Sequence, residues 1–446
     1  MRNTYNFKFI FMHNYNLDIK ISKLSKIEGH ADLDIKIKDG KVENVELRVM
    51  ENMRFFNQAV RGQSYNNVAQ IVSRICGTCS IAHLTACIEA IEKALEIKPS
   101  EQTIILRKLT MYSMIIRDHA LHLYFFVLPD IFGIDSALDM PKEKIDLLHE
   151  ALHIKEAGNN LSNLIAGRAV HAPFEQVGGF SNEIDKTKIP EIIKELKSIR
   201  SYVIKLAEIF YNLDWEFKRK TNFVALATSD FSFLEGKIKS TSGAIVEEKD
   251  YWDHLNNIVL PYSQASGFEF EGHEYMVGSL ARLNLNKDAL HFNTKKDMEK
   301  YLSVFPSDNI YYNNLAQVIE IMHSIDHSIE LLENTDFKKE PLVKPTKLSG
   351  EGVGVIEAAR GTLYYWLGIN EGKIRYANLV IPTAQNLVNM RKDVRKIVED
   401  ICCCEILLKE SDVENKIRKE VEKIIRAYDP CMSCAAHFLK INWTKE

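Results

Sequence analysis

The chain has 446 residues, of which 46% are hydrophobic and 26% are charged, and its formal net charge is −4. A chain of this length and apolar content can bury a large core. The small net charge excludes the strongly basic character of proteins that bind nucleic acid or an anionic membrane surface. Eight cysteines are too few for a disulfide framework in so long a chain, which favours a reducing cytoplasm and leaves the thiols available to bind metal.

The N-terminal residues 1–16 contain an apolar run that is too short for a signal peptide, and they predict a loose extension. No segment reaches the roughly 18 uninterrupted apolar residues that a membrane span requires. The nearest segment, 121–128, stops at Pro129. The sequence therefore predicts a soluble, cytoplasmic protein without a membrane span.

Secondary structure is predicted from hydrophobic periodicity. Alternating apolar and polar residues predict a β-hairpin over 31–49 and a second one over 363–381. Apolar residues three or four apart predict helices over 81–95, 104–123, 142–167, 189–210, 315–332, 385–408 and 413–428. The expected fold class is mainly α with small antiparallel β sheets around a long helical bundle.

Two segments break this periodicity. Residues 171–180 contain a proline and paired glycines, which predict a loop with unusual backbone angles. Residues 222–292 are less regular, with short strand candidates such as 243–246. With no internal repeat, we interpret 17–437 as one large domain, followed by a short C-terminal tail.

The most informative residues are two Cys-x-x-Cys pairs at opposite ends of the chain, Cys76 with Cys79 and Cys431 with Cys434. Each pair can place both sulfurs on one metal, because the turn between the cysteines brings the side chains together. About 350 residues separate the pairs, so the fold must bring the chain ends together to form a shared, central site. Thiolates suit zinc, iron-sulfur clusters, nickel or copper(I). Spacing alone leaves a structural zinc site and a redox pair open.

The other histidine and cysteine residues are by themselves less informative about function. His83 is one turn beyond Cys79 and shares its helix face, although a lone helical histidine is more often an ordinary core residue. Residues 402–404 are consecutive cysteines that point about 100° apart on a helix, so they cannot converge on one metal. With Cys87 they are the remaining cysteines, which leaves no ligand set for an additional iron-sulfur cluster. Electrons released at the site must therefore leave through another protein.

Seven motifs in a fixed order connect this chain to a known family. They are Lys26–His30, Arg54–Phe56, Arg74–Cys79, Arg117–Tyr124, Glu357–Gly361, Ile381–Thr383 and Asp429–His437. From about Leu24 to His437 the chain resembles the large, catalytic subunit of nickel-iron hydrogenases, and within that family the soluble cytoplasmic multimeric type.

The resemblance implies a nickel ion held by all four thiolates and an iron that carries carbon monoxide and cyanide. Cys79 and Cys434 would bridge the two metals, and Cys76 and Cys431 would be terminal on nickel. The implied reaction is the reversible heterolytic cleavage of dihydrogen to protons and electrons. The electrons would pass to an iron-sulfur small subunit and on to further, diaphorase-like subunits.

The same resemblance assigns roles near the metals. The base would be Cys431 or Arg360, with Asp118 and Asp429 holding the arginine, which is a poor base at its usual pKa above about 12. Glu28 would be the first proton relay. Without the resemblance, Arg360 would be interpreted as part of a buried ion pair and Glu28 as a surface carboxylate.

His83, Pro382 and Thr383 would line the cofactor. Asn57 stands where the family has a glutamate ligand for a third, magnesium-like ion, for which His437 and the backbone of Leu379 match the other ligands. An amide oxygen brings no charge, so occupancy of that site stays open.

Two further points concern a loop and the C-terminus. Ala359 replaces the family's proline before the arginine, which would loosen that loop. The resemblance also implies that a maturation protease removes residues 438–446 once nickel is in place. The alternative function is a non-catalytic structural or assembly subunit that binds zinc through the four cysteines, and metal analysis separates the two.

Overall fold

The computed structural model describes residues 16–52, 55–404 and 409–436. Its helices are α1 (Phe56–Ala59), α2 (Tyr65–Val72), α3 (Ser80–Leu95), α4 (Glu101–Leu121), α5 (Leu128–Phe132), α6 (Ile145–Ala166), α7 (Ile189–Tyr211), α8 (Ser279–Asn286), α9 (Phe292–Asp297), α10 (Glu299–Leu302), α11 (Tyr312–Asn334), α12 (Pro382–Cys404), α13 (Glu410–Ala427) and α14 (Met432–Ala435). Among the described residues, no helix is long and apolar enough to cross a lipid bilayer.

Most strands are short, and the longest ones belong to two three-stranded antiparallel sheets, which consist of the first three and the last three strands of the chain. They are β1 (Leu17–Ile21), β2 (Ala31–Lys38), β3 (Lys41–Val49), β4 (Glu175–Gln176), β5 (Gly179–Phe180), β6 (Asn222–Ala227), β7 (Lys237–Ser240), β8 (Ile245–Glu247), β9 (Leu255–Ile258), β10 (Gly267–Phe270), β11 (Tyr275–Met276), β12 (Gly350–Ala358), β13 (Gly361–Asn370) and β14 (Lys373–Val380). The buried apolar side chains form one cluster that extends from Leu17 to Ala436.

Helix α4 lies at the centre of the bundle, packed against α6 and α11. Ser100, the residue before its first turn, caps the helix, because its hydroxyl accepts a hydrogen bond from the Thr103 amide at 3.0 Å. Helix α6 approaches α4 closely at Gly158, where a Cβ atom would lie 2.9 Å from the Ser113 carbonyl oxygen. The absence of a side chain at this crossing lets the two backbones approach each other.

Helix α3 packs directly on strand β12 through small residues. Gly350, Gly352 and Gly354 occupy alternate positions of the strand, so they share one face. A Cβ atom on each would lie 2.2 Å from a carbonyl oxygen of α3, namely that of Ala94, Ala90 and Ala86, respectively. The strand therefore runs antiparallel to the helix, and its end at Ala358 points towards the start of the helix at Ser80. This register brings the first cysteine pair to the β12-β13 turn.

The second cysteine pair is attached to the N-terminal sheet. The loop between β1 and β2 carries Glu28, which forms a parallel β-bridge with Cys431. The Met432 amide donates to the Glu28 carbonyl oxygen at 2.9 Å. A buried carboxylate, Asp130, fastens the same region, since it accepts from Lys26 Nζ at 2.7 Å and from Arg426 Nη2 at 3.0 Å. The N-terminal and C-terminal segments are thus held together beside the site.

The predicted fold class is confirmed, with a bundle of long helices and small sheets that are antiparallel except for a two-residue parallel pair between β6 and β11. Both predicted hairpins and all seven predicted helices are present. The sequence analysis missed β1 and β12. Alternate glycines are unfavourable in an isolated strand, and β12 forms because α3 covers them. Residues 1–15, 53–54, 405–408 and 437–446 lie outside the described part of the chain, and so do the predicted extension, the motif residue Arg54, the end of the predicted helix 385–408 and the C-terminal tail.

We expect Gly352→Ala to destabilise the protein by about 2–3 kcal/mol, because the added methyl group would overlap the α3 backbone. The control is Gly368→Ala on β13, where the nearest atom to an added Cβ is 3.5 Å away. Thermal unfolding of both variants measures the difference. Equal midpoints for the two variants would contradict the close packing of α3 on β12.

Candidate metal centre

The four cysteines of the two pairs converge at one place. Their sulfur atoms lie within 4.8 Å of one another, and all four residues are buried. Cys76 Sγ is 3.6 Å from Cys431 Sγ, and Cys79 Sγ is 3.2 Å from Cys434 Sγ. Among the described His, Cys, Asp and Glu residues, this is the group of three or more with ligand atoms close enough to hold a metal.

The first pair is held by a turn at the start of α3. Cys76 follows a short 3-10 turn, Ser73–Ile75, and its sulfur is 3.1 Å from Thr78 Oγ1. Cys79 is the residue that precedes the first turn of α3. Gly77, between the cysteines, is exposed. The sulfurs of this pair are therefore buried while the turn that links them reaches the surface.

The second pair is held by backbone contacts. Asp429 has a positive φ of 50°, which turns the chain at the end of α13. The Cys431 amide donates to Thr383 Oγ1 at 2.9 Å, near the N-terminus of α12. Cys434 lies on α14, and its sulfur is 2.9 Å from that of Cys431.

The chemistry of the four sulfurs fits a soft cation. Burial raises the pKa of the Cys431 thiol and of the Cys434 thiol, because an isolated thiolate is poorly solvated in the interior. Four thiolates this close also repel one another. A bound metal ion supplies the positive charge that keeps all four deprotonated. The donor set is therefore that of a thiolate-bound transition metal.

His83 lies next to the second pair and is fully buried. Its Nδ1 is 2.7 Å from the Tyr365 hydroxyl, and its Nε2 is 3.6 Å from Cys434 Sγ. The first contact is that of a hydrogen-bonded core histidine, and the second places the ring against one of the sulfurs. Tyr365, which orients His83, was missed in the sequence, because nothing in a strand pattern distinguishes an aromatic residue at a site from one in the core.

Glu28 contacts the cluster through Cys431. Cys431 Sγ donates to its Oε2 at 2.9 Å, and the Ser433 hydroxyl donates to its Oε1 at 2.8 Å. Glu28 is half-buried. It therefore connects a buried sulfur with more exposed polar groups, and the part played by Ser433 was not predicted.

Arg360 is 5% exposed and lies in the turn that follows β12. Its Nη2 is 3.0 Å from Asp429 Oδ1, and its Nη1 is 4.0 Å from Asp118 Oδ2. Its Nε and Nη1 have no hydrogen-bond partner among the described residues. Burial lowers the pKa of Arg360, but Asp429, Cys431 and Asp118 raise it more, so the guanidinium stays charged.

The pKa values of Asp118 and Asp429, the two carboxylates near Arg360, are shifted in opposite directions. Burial raises the pKa of Asp118 to about 6, although Arg117 and Arg360 lower it. For Asp429, burial also raises the pKa, but Arg360 lowers it further, so the result is below the usual value. Asp429, at 3.0 Å, is therefore the stronger partner of Arg360, and Asp118, at 4.0 Å, is the more easily protonated one.

Two of the three residues predicted to bind the third ion, Asn57 and Leu379, lie in the described part of the chain. Asn57 lies on α1, which contacts β14, the strand that carries Leu379. Asn57 Oδ1 is buried and has no hydrogen-bond partner among the described residues. Such an oxygen suits a hard cation. His437, the third predicted ligand, lies outside the described residues. Pro382 is the first residue of α12, and Thr383 follows it.

Comparison with known proteins places these residues in a family. The model of the family described as nickel-dependent hydrogenase matches residues 54–160 and 230–437. The chain belongs to the nickel-dependent hydrogenase family. It is 32% identical over 95% of its length to the whole of sulfhydrogenase 2 subunit alpha of Pyrococcus furiosus. It is 26% identical, over 94% of both chains, to NAD-reducing hydrogenase HoxS subunit beta of Cupriavidus necator.

The fold agrees with this assignment. The structure of a NAD⁺-reducing [NiFe]-hydrogenase in the H₂-reduced state superposes with a TM-score of 0.81 and 23% identity, covering 95% of this chain and all of that one. The family resemblance predicted from the sequence is thus confirmed. The chain is a nickel-iron hydrogenase catalytic subunit, and the zinc-binding structural alternative is not favoured.

We expect Cys76→Ser to lose most of the bound nickel, because a hydroxyl has a much higher pKa than a thiol and is a harder ligand. The control is Cys403→Ser, which changes an exposed cysteine of α12 away from the cluster. Elemental analysis of the purified proteins measures nickel and iron per chain. Full nickel loading of Cys76→Ser would refute the ligand assignment.

Proposed function

We propose that this hydrogenase subunit cleaves dihydrogen reversibly at the four-cysteine site and passes the electrons to a separate iron-sulfur small subunit. The observation that carries the proposal is the convergence of four buried sulfurs, one of which donates to a half-buried carboxylate, near a buried, charged arginine. Such a site combines metal ligands with a proton acceptor and a fixed positive charge.

Cys76, Cys79, Cys431 and Cys434 would hold the nickel, and Cys79 and Cys434 would also be ligands of the iron. When bound, the metal pair supplies the Lewis acidity and the redox capacity that splitting dihydrogen requires. On the family resemblance, we further propose that the iron carries carbon monoxide and cyanide. His83, Pro382 and Thr383 would line that part of the site.

The proton would leave by way of Cys431 and Glu28. The Cys431 sulfur can accept the proton and donate it to Glu28 Oε2 across 2.9 Å. Glu28 can then exchange protons with the Ser433 hydroxyl at 2.8 Å and with solvent. Both distances are within reach for direct transfer.

Arg360 would act through its charge. Its pKa is raised above an already high value, so it is a poor proton acceptor. Held by Asp118 and Asp429, it would present Nε and Nη1 as preorganised donors where charge develops.

The electrons need a partner protein. A buried site exchanges electrons efficiently over short distances only, and apart from the four cysteines no described group of His, Cys, Asp and Glu has metal-binding geometry. The exposed turn at Gly77, next to the exposed side chain of Arg74, brings the surface close to Cys76. We place the small subunit there. The relationship to a subunit of a NAD-reducing hydrogenase supports further, diaphorase-like subunits and a cytoplasmic location.

A third, magnesium-like ion would be held by Asn57 Oδ1, the backbone of Leu379 and His437. The unpaired, buried Asn57 oxygen supports this proposal. Because Asn57 brings no charge, we expect weaker binding than a carboxylate would give. An Asn57→Glu variant that retains more magnesium after dialysis would support the assignment.

We expect Glu28→Gln to keep its nickel but to slow hydrogen-deuterium exchange by about 100-fold, because an amide cannot relay a proton. The control is Glu43→Gln on β3, a carboxylate that pairs with Lys36 at the surface. Exchange between deuterium gas and water is measured by mass spectrometry. An unchanged rate in Glu28→Gln would place the proton path elsewhere.

We also expect the nickel-loaded, active enzyme to lack residues 438–446. Cys431 and Cys434 are buried, so a tail that begins so close to them must either stay as a permanent, packed end or be removed by a maturation protease, and we infer removal. Intact mass spectrometry of the active enzyme shows whether residues 438–446 are still present. An active enzyme that still ends at Glu446 would contradict removal and would leave the metal ligands unaffected.

A further inference from the structure

Arg282, on α8, is the largest fully buried charged side chain outside the metal centre, at 2% exposure. Its guanidinium forms a bidentate pair with Glu320, with Nε to Oε1 at 2.6 Å and Nη2 to Oε2 at 2.7 Å. Its Nη1 donates to Glu357 Oε2 at 2.7 Å. Two carboxylates thus contact one buried cation, and such a cluster is costly to assemble in the interior.

The same guanidinium also binds the backbone. Nη1 donates to the carbonyl oxygen of Ala358 at 3.0 Å, and Nη2 donates to that of Ala359 at 3.1 Å. These are the two peptide groups that immediately precede Arg360. Arg282 therefore lies behind the β12-β13 turn, while the Arg360 side chain projects from that turn towards Asp429 and Asp118.

The turn is also tightly packed at Gly361, the residue that follows Arg360. Gly361 has a φ of +130°, and a Cβ atom there would lie 2.5 Å from Val277 Cγ2. Ala359 and Arg360 themselves lack the positive φ that glycine allows, and alanine does not restrict φ as proline would. The rigidity of the turn therefore comes from its neighbours. Arg282 supplies two of the hydrogen bonds that fix it.

We propose that Arg282 is a positioning residue for catalysis: by binding the Ala358 and Ala359 carbonyls, it fixes the turn from which Arg360 reaches Asp429 and Asp118. The proposal rests on the role of Arg360 in the proposed function. It also accounts for how the chain would keep this turn in place with alanine at position 359.

The test is Arg282→Lys, which keeps the positive charge but loses the planar fork that spans two carboxylates and two carbonyls. The matched control is Arg107→Lys. Arg107 is also buried and pairs with Glu92 and Glu175, with 2.6 Å and 3.3 Å between the closest atoms, but it does not touch the turn. Each variant is produced as the full chain with its partner subunits.

Two readouts are compared. Amide hydrogen exchange, followed by mass spectrometry over a peptide that spans 355–363, reports the rigidity of the turn and does not depend on activity. Hydrogen-dependent dye reduction, normalised to nickel content, reports turnover. We expect Arg282→Lys to speed amide exchange in this peptide and to lower turnover by about 10- to 100-fold, since small displacements of a catalytic group have effects of this size. Arg107→Lys should change neither.

A second substitution that should rescue Arg282→Lys distinguishes a positioning role of Arg282 from general destabilisation of the fold. Proline is favoured at the second position of a turn and fixes φ there, so Arg282→Lys with Ala359→Pro should restore the protection of the peptide and most of the turnover. If Arg282→Lys does not fold, Ala359→Gly loosens the same turn without changing the ion pairs, and we expect it to lower turnover.

Unchanged amide exchange in Arg282→Lys, or a loss of turnover no larger than that of Arg107→Lys, would overturn the proposal. For Ala359→Gly, the contradicting result is a looser turn with full turnover. Absence of hydrogen-dependent activity in the nickel-loaded wild-type enzyme would instead refute the proposed function. The amide-exchange comparison would still show whether Arg282 fixes the turn.

Discussion

Direct packing of a helix on a strand determines where the reactive groups meet. Helix α3 can lie against β12 because the facing positions are glycines on the strand and alanines on the helix, so the two backbones touch. The helix begins at the first cysteine pair, and the strand ends at the turn that carries Arg360. A larger residue at this contact would move one element relative to the other. The distance between the sulfurs and the guanidinium is therefore set by a contact that contains no reactive group.

The site also depends on how buried charge is balanced. An isolated charge in the interior is costly, and removing one partner of a buried pair costs about 3–5 kcal/mol. Here Arg360 is balanced by Asp118 and Asp429, and Arg282 by Glu320 and Glu357. For the four sulfurs, Arg360 supplies one positive charge nearby, which is too little for four thiolates and is consistent with a bound cation as their main counter-charge. Glu28, at the edge of the cluster, is the carboxylate through which protons can reach solvent.

Sequence reasoning predicted the parts of the molecule that have a local signature. Hydrophobic periodicity gave the long helices and both hairpins, and cysteine spacing gave the four residues whose sulfurs converge. Glu28 and Arg360 were assigned through the family motifs alone, because neither has a local pattern that distinguishes it from a surface carboxylate or an ordinary buried ion pair. Strand β12, Tyr365 and Arg282 were missed. Each owes its role to contacts with residues far away in sequence, which periodicity cannot report.

The identity of the metal in the native enzyme tests the central claim most directly. The claim is that four buried thiolates hold nickel and iron at a site that cleaves dihydrogen. Elemental analysis of the purified, untagged holoenzyme should find nickel and iron each near one per large subunit after the iron of the small subunit is subtracted. Infrared bands from carbonyl and cyanide ligands should accompany them. Stoichiometric zinc, with neither nickel nor those bands, would contradict the account.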